Sequence, residues 1–149
     1  MSITYFFLLL AFIAGAVLPL QASTNNKMAD IVDSPVLAAL ISFLVGTVAL
    51  VGYIVATGTP LSNLANTRNS TPIAWIGGIF GAFFVASTAV VVPRIGVAVT
   101  FALVVAGQMI VTIFVDHFGM LGVEVKEANL PRIIGILLII GGVVLIRKF

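Results

Sequence analysis

The chain has 149 residues, of which 61% are hydrophobic and only 8% are charged, and its mean hydropathy is +1.28. Soluble domains carry about 25% charged residues, so this composition indicates a protein of the lipid bilayer. The net charge of +2 rests on seven basic and five acidic residues, too few for a nucleic-acid-binding surface. The sequence contains no cysteine and one histidine, and we therefore predict no enzyme, no metal site and no cofactor.

Apolar runs follow one another along the whole chain, and each has about the length that crosses a bilayer as a helix. We predict five membrane-spanning helices, at about residues 3–22, 36–56, 73–92, 95–116 and 132–147. The predicted fold class is an all-α membrane protein with one transmembrane domain over residues 1–149. No Lys or Arg precedes the first run and no good cleavage site follows it, so we expect a retained helix rather than a signal peptide.

The first span carries a proline and then a polar end. Pro19 removes the hydrogen bond to the carbonyl of Gly15, which predicts a kink. Gln21 and Asn25 follow at i and i+4, on one helix face. Two interpretations stay open: a polar helix end that is exposed to water, or a polar half-helix that lines a substrate cavity.

Small residues recur at helical spacing in the second and third spans. Ser42 and Gly46, and Gly77 and Gly81, predict flat faces for close helix packing, although Ser42 also suits ligand contact. Trp75 is typical of an interfacial anchor, and the alternative is stacking on a substrate. The Val92-Pro93-Arg94 segment is expected to turn the chain into the fourth span.

The fourth span holds polar residues at multiples of four. Gln108 lies in hydrocarbon, where its amide needs a partner or a ligand. Thr112 either bonds its own backbone or joins that site. Asp116 and His117 end the span, and they are interpreted either as a solvated helix end or as a gating or proton-handling pair.

The distribution of positive charge does not favour one orientation of the chain in the membrane. Five spans would place on one side Lys27, Arg94, Arg147 and Lys148, and on the other side Arg68, Lys126 and Arg132. Because the positive-inside rule needs an imbalance, the chain is expected to insert both ways up. The product would be an antiparallel dimer, an inverted repeat made from two copies.

Helix geometry supports this dimer. At ~1.5 Å per residue, and with the span counted from Tyr5, Gln21 lies about 24 Å deep from the N-terminal side and Gln108 about 10 Å deep. The amides of one protomer therefore cannot meet. In an inverted partner Gln21 moves to about 6 Å, close to Gln108 of the first protomer.

The chain resembles a known family through motifs in order along its length: LPLQASTN (18–25), SPVLAALISFLVGT (34–47), WIGGIFGAFFV (75–85), PRIGVA (93–98), LVVAGQ (103–108) and DHFGMLG (116–122). These are similar to the YdcZ family of the drug/metabolite transporter superfamily. The resemblance implies a bacterial inner-membrane protein, with five helices forming half of a ten-helix fold. It also implies dual-topology homodimers or pairing with an oppositely oriented paralogue.

The leading hypothesis is a secondary transporter that exports or exchanges a small solute by alternating access. Its candidate substrate-binding residues are Gln21, Asn25, Trp75, Gln108 and Thr112. The alternative is a non-transporting membrane subunit that packs against another membrane protein. The first span contains no glutamate, unlike the four-helix small multidrug resistance relatives, so their mode of proton coupling is not expected here.

Overall fold

The structure is a computed structural model that describes residues 3–149. Its helices are α1 (Ile3–Val32), α2 (Pro35–Thr57), α3 (Ile76–Ile95), α4 (Val97–Phe118) and α5 (Leu130–Lys148). Shorter 3-10 segments lie at Leu61–Asn69, Pro72–Trp75 and Met120–Gly122. The described residues contain no strand, and five of their helical segments are long and apolar enough to cross a membrane. The predicted all-α membrane class with five spans is confirmed.

The chain divides into two compact units, Met1–Arg94 and Ile95–Phe149. In the first unit α1 and α2 contact each other across a tight corner. Asp33 adopts a left-handed conformation with φ 51°, and the Ser34 N–H donates to the Ala29 carbonyl at 3.1 Å. This is a Schellman-type C-cap. Ser34 then caps α2, because its Oγ accepts from the Leu37 N–H at 3.3 Å.

The first helix continues well past the predicted boundary at residue 22 and ends at Val32. Its 30 residues correspond to about 45 Å, longer than the ~30 Å hydrocarbon core. Falling hydropathy after Leu20 marks the edge of the apolar segment, whereas the helix itself stops only where Asp33 turns the backbone. The segment from Gln21 to Val32 is therefore a polar half-helix.

The expected turn at Pro93 is wrong by a few residues. Helix α3 continues through Pro93 to Ile95, and the chain turns at Gly96, whose φ is 81°. Pro93 removes the hydrogen bond to the Ala89 carbonyl, and α3 continues for two residues past it. A positive φ favours glycine, and the turn therefore falls on Gly96.

In the second unit α4 and α5 contact each other as a helical hairpin. Gly119, with φ 58°, ends α4, and its N–H donates to the Asp116 carbonyl. Asn129 caps α5, because its Oδ1 accepts from the Arg132 N–H at 3.1 Å. Pro131 lies in the first turn of the helix. Helix α5 runs from Leu130 to Lys148, slightly longer than the predicted 132–147.

The interior of each unit consists of small side chains. In the first unit the buried residues are Ala22, Asn25, Ala29, Ala38, Ala39, Val85, Thr88, Ala89 and Val92, and in the second Thr100, Ala106 and Val143. Larger apolar side chains are mostly exposed, and residues 3–17 of α1 are exposed without interruption. Small residues at contacts and large ones outside are typical of helices whose solvent is lipid.

Candidate functional site

The polar half of α1 contains a buried amide without a partner. Asn25 is only 6% exposed, and it lies on α1 between the buried Ala22 and Ala29. Its Nδ2 has no hydrogen-bond partner within the described residues, and neither does Oδ1 of the neighbouring Asn26. Buried polar groups in proteins are nearly always hydrogen-bonded. An unpaired amide here costs about 1–3 kcal/mol, so its presence calls for a functional reason.

A small cavity lies one helical turn from Asn25, where α1 faces α2. It has a volume of about 240 Å³, and it is lined by Gln21, Ser42, Phe43, Gly46, Thr47 and Leu50. Gln21 and Asn25 share one face of α1 because they are four residues apart. The structure thus brings Gln21 together with Ser42 and Gly46, and it places Asn25 next to them along α1.

Heights along the two helices agree with this arrangement. Counted from the helix ends at Val32 and Pro35, Asn25 and Ser42 both lie about 10 Å along their helices. Gln21 and Gly46 both lie about 16 Å from those ends. Asn25 of α1 is therefore level with Ser42 of α2, and Gln21 of α1 is level with Gly46 of α2.

Most hydroxyl groups near the cavity are already satisfied. The Thr47 Oγ1 donates to the Phe43 carbonyl at 2.8 Å, and the Thr24 Oγ1 donates to the Gln21 carbonyl at 2.9 Å. The Ser23 Oγ donates to the Pro19 carbonyl at 2.9 Å. Such bonds to the preceding turn occupy hydroxyl donors within helices. The unused donor capacity of this region is thus that of the amides and of the Ser42 hydroxyl.

The polar residues of α4 have a different setting. Gln108 is exposed although it lies within a membrane-spanning helix. Thr112 is also exposed, and it lines a shallow cavity of about 230 Å³ together with Met109, Ile113, Arg132, Gly135, Ile136 and Ile139. Within the second unit the structure does not bring Gln108 to another candidate site residue.

Asp116 and His117 belong to the corner between α4 and α5. Arg132 forms a salt bridge with Asp116, and the two side chains are 30% and 22% exposed. Arg132 also donates to the Lys126 carbonyl at 2.9 Å. The Ala128 N–H donates to His117 Nδ1 at 3.2 Å, which requires that nitrogen to carry no proton. Both residues hold the loop in place.

Trp75 lies in the short 3-10 segment before α3 and is 64% exposed. Its indole Nε1 donates to Ser70 Oγ at 2.8 Å. An exposed indole with a bonded nitrogen is typical of an interfacial anchor, and the contact of Trp75 with a substrate stays a prediction.

The predicted packing residues divide into two groups. A Cβ on Gly81 would lie 3.5 Å from the Phe43 ring, so Gly81 contacts α2. A Cβ on Gly15, Gly46 or Gly77 would meet nothing within 4 Å. Gly46 faces the cavity beside Gln21, and Pro19 lies inside α1 one turn after Gly15.

Three residues of these arrangements were not predicted from the sequence. Phe43 lines the cavity and contacts Gly81, although nothing in an apolar run distinguishes it from its neighbours. Asn26 follows Asn25 directly, and the pair of adjacent amides was the available signal. Arg132 pairs with Asp116, and the signal was an acid at the end of one span and a base at the start of the next, joined by a short loop.

Five apolar helices with small-residue contacts define a multi-pass membrane protein. Residues 6–145 match the model of a family described as "Putative inner membrane exporter, YdcZ". The chain belongs to the YdcZ family, and it is a multi-pass protein of the inner membrane. No curated protein and no solved structure matches the chain.

Proposed function

We propose that this protein is a secondary transporter that exports or exchanges a small solute by alternating access. The observation that carries the proposal is the buried Nδ2 of Asn25, which has no partner and lies one turn from a cavity. In a protein that binds no ligand at this position, the unpaired amide would only lower the free energy of unfolding. A solute that accepts its hydrogen bond supplies the missing partner.

The groups that line the cavity favour a solute without net charge. Gln21, Ser42 and Thr47 are neutral, and Phe43 and Leu50 are apolar. An ion transferred there would lose its hydration without gaining a counter-charge, which is costly. Hydroxyl, amide and uncharged amino groups suit the amides, and the Phe43 ring suits an apolar part of the same solute.

An antiparallel dimer completes the proposed site. Gln108 is exposed in a membrane-spanning helix and therefore lacks a partner for its amide within the second unit. Residues 3–17 of α1 are likewise uncovered. Inversion of a second copy brings its Gln21 to the depth of Gln108, which supports a shared site between protomers with Thr112 one turn further along α4.

Asp116 and His117 enter this proposal as a latch at the α4–α5 corner rather than as substrate ligands. Their partners, Arg132 and the Ala128 N–H, lie across the loop from them. Opening of this corner would change the angle between α4 and α5. That is the kind of motion by which one bundle gates against another.

Transport is tested by filling the cavity. Gly46 borders it, and a side chain there meets nothing within 4 Å, so Gly46→Leu should fold and occupy the space. The control is Gly52→Leu on the same helix, which also meets nothing within 4 Å. Proteoliposomes are loaded with a mixture of small polyols, amides and amines, and release is followed by mass spectrometry.

We expect Gly46→Leu to reduce release of the transported solute at least tenfold and Gly52→Leu to leave it unchanged. Equal release by both variants would exclude this cavity as the site. If the native protein releases none of the solutes and co-purifies strictly with a different membrane protein, the non-transporting subunit becomes the better hypothesis.

A further inference from the structure

A second and larger cavity lies in the other unit, between the first part of α4 and the last part of α5. Its volume is about 690 Å³, within the range of small-molecule sites. The lining residues are Ile95, Val99, Leu103, Ala106, Gly107, Ile110, Ile140, Val143, Val144 and Arg147. We call it the α4–α5 groove. Apart from Arg147, every lining residue is apolar or, at Gly107, a glycine.

The single cation lies at one end of the groove. Arg147 belongs to the last turn of α5, and the antiparallel hairpin places that turn beside the first turn of α4. The residues of this turn of α5 are at the end of a membrane-spanning helix, where arginine extends its guanidinium to headgroup level. The groove therefore has a charged end at the membrane surface and an apolar body in the hydrocarbon.

No acidic side chain of the second unit lies at this end. Its acidic residues, Asp116, Glu124 and Glu127, belong to the opposite end of the hairpin. Among the residues described, the one salt bridge joins Arg132 to Asp116 at that opposite end. The partial positive charge at the α4 N-terminus lies beside the partial negative charge at the α5 C-terminus, so the guanidinium of Arg147 supplies the charge of the groove.

The length of the groove fits one acyl chain. Along α4 it extends from Ile95 to Ile110, which is about 22 Å at helical rise. One leaflet contributes about 15 Å of hydrocarbon. A lipid with its headgroup at Arg147 can therefore lay a whole chain along the groove, against Ala106 and Gly107, which leave room for it.

We infer that the α4–α5 groove binds one phospholipid with an anionic headgroup, its phosphate paired with Arg147 and one acyl chain between α4 and α5. A zwitterionic lipid fills the same apolar body but gains less from the cation. The site is separate from the Gln21 cavity, so this inference does not depend on the proposed transport.

The test is native mass spectrometry of the full chain released from detergent, with phosphatidylglycerol or phosphatidylcholine of identical acyl chains. We expect the native protein to retain phosphatidylglycerol preferentially. Arg147→Gln should reduce that retention about fivefold, the usual effect of one basic side chain at an anionic membrane surface. Lys148→Gln is the charge-matched control, since Lys148 lies beside Phe149 and does not line the groove, and it should retain the lipid.

A second pair of variants tests the apolar body. Gly107→Leu projects into the groove, and Gly141→Leu lies outside its lining; neither new Cβ meets an atom within 4 Å. Gly107→Leu should lose both lipids, whereas Gly141→Leu should keep them. Unchanged retention in Arg147→Gln, equal losses in Arg147→Gln and Lys148→Gln, or unchanged retention in Gly107→Leu would each overturn the inference.

Discussion

At the scale of single residues, the decisive feature is the buried side-chain amide of Asn25, whose Nδ2 has no hydrogen-bond acceptor among the described residues. Asn25 is buried on a face of α1 that also carries the buried Ala22 and Ala29, and an apolar side chain of the same size would leave no polar atom unpaired there. Its free Nδ2 therefore lowers the stability of the protein in the absence of a ligand. Function at the expense of stability is common at binding sites.

The variant Asn25→Leu should separate these two effects. We expect the midpoint of thermal unfolding in detergent to rise by about 2–4 °C, because an unsatisfied buried group is removed. Solute release from proteoliposomes should fall at least tenfold. Thr24→Val is the control, since the Thr24 hydroxyl bonds only the preceding turn and its side chain is exposed. A less stable Asn25→Leu with normal release would mean that the amide is structural.

The sequence predicted the positions of Gln21 and Asn25 on one face but left their role open. Whether an amide is buried depends on what lies opposite, and Ala38, Ala39 and Ser42 belong to another helix. The partner of Asp116 was missed for the same reason, because Arg132 is sixteen residues away in sequence. Identity and spacing determine the face of a helix, whereas contacts depend on packing.

At the scale of elements, helix ends followed backbone chemistry more closely than hydropathy. The apolar pattern predicted five spans correctly, but it ended α1 at residue 22, and the cap at Asp33 ends it at Val32. Hydropathy reports where the apolar segment of α1 ends, and α1 continues as a helix beyond that point, alongside the first half of α2. The α4–α5 corner is the most heavily bonded of these ends, since Arg132 joins the Asp116 carboxylate to the loop carbonyls.

Removing the guanidinium should loosen that corner. In Arg132→Gln the amides of Lys126 and Ala128, which bond Asp116 and His117, should exchange with deuterium about tenfold faster. The expected loss is about 1–2 kcal/mol, because the ion pair is partly exposed and two carbonyl bonds go with it.

Arg132→Lys should restore only part of the protection, since an ammonium lacks the forked geometry of a guanidinium. Arg147→Gln, at the other end of α5, should leave these amides protected. If Arg132→Gln exchanges at the native rate, the salt bridge does not hold the loop and the latch hypothesis loses its basis.

At the scale of the whole molecule, the weak charge bias and the exposed Gln108 both favour two copies in opposite orientations. The chain has no cysteine, so introduced thiols are unique reporters. We expect a short bis-maleimide to join protomers that carry both Gln21→Cys and Gln108→Cys. Each single variant should cross-link only weakly, because the proposed contact joins Gln21 to Gln108 and neither residue to its own copy.

A parallel dimer would give the opposite result, with efficient cross-linking in Gln21→Cys alone. The absence of cross-links in every variant would remove Gln108 from the proposed site. These outcomes distinguish the dimer from a single copy that pairs with a different membrane protein.

The uncovered first half of α1 has a consequence for the amount of protein in the membrane. Residues 3–17 are exposed within the described part of the chain, so further lateral contacts depend on how often two copies meet. The yield of the Gln21–Gln108 cross-link should therefore rise with the protein-to-lipid ratio. If the assembled pair is the active form, expression level itself would set the active fraction, and a cell with few copies would hold mostly incomplete sites.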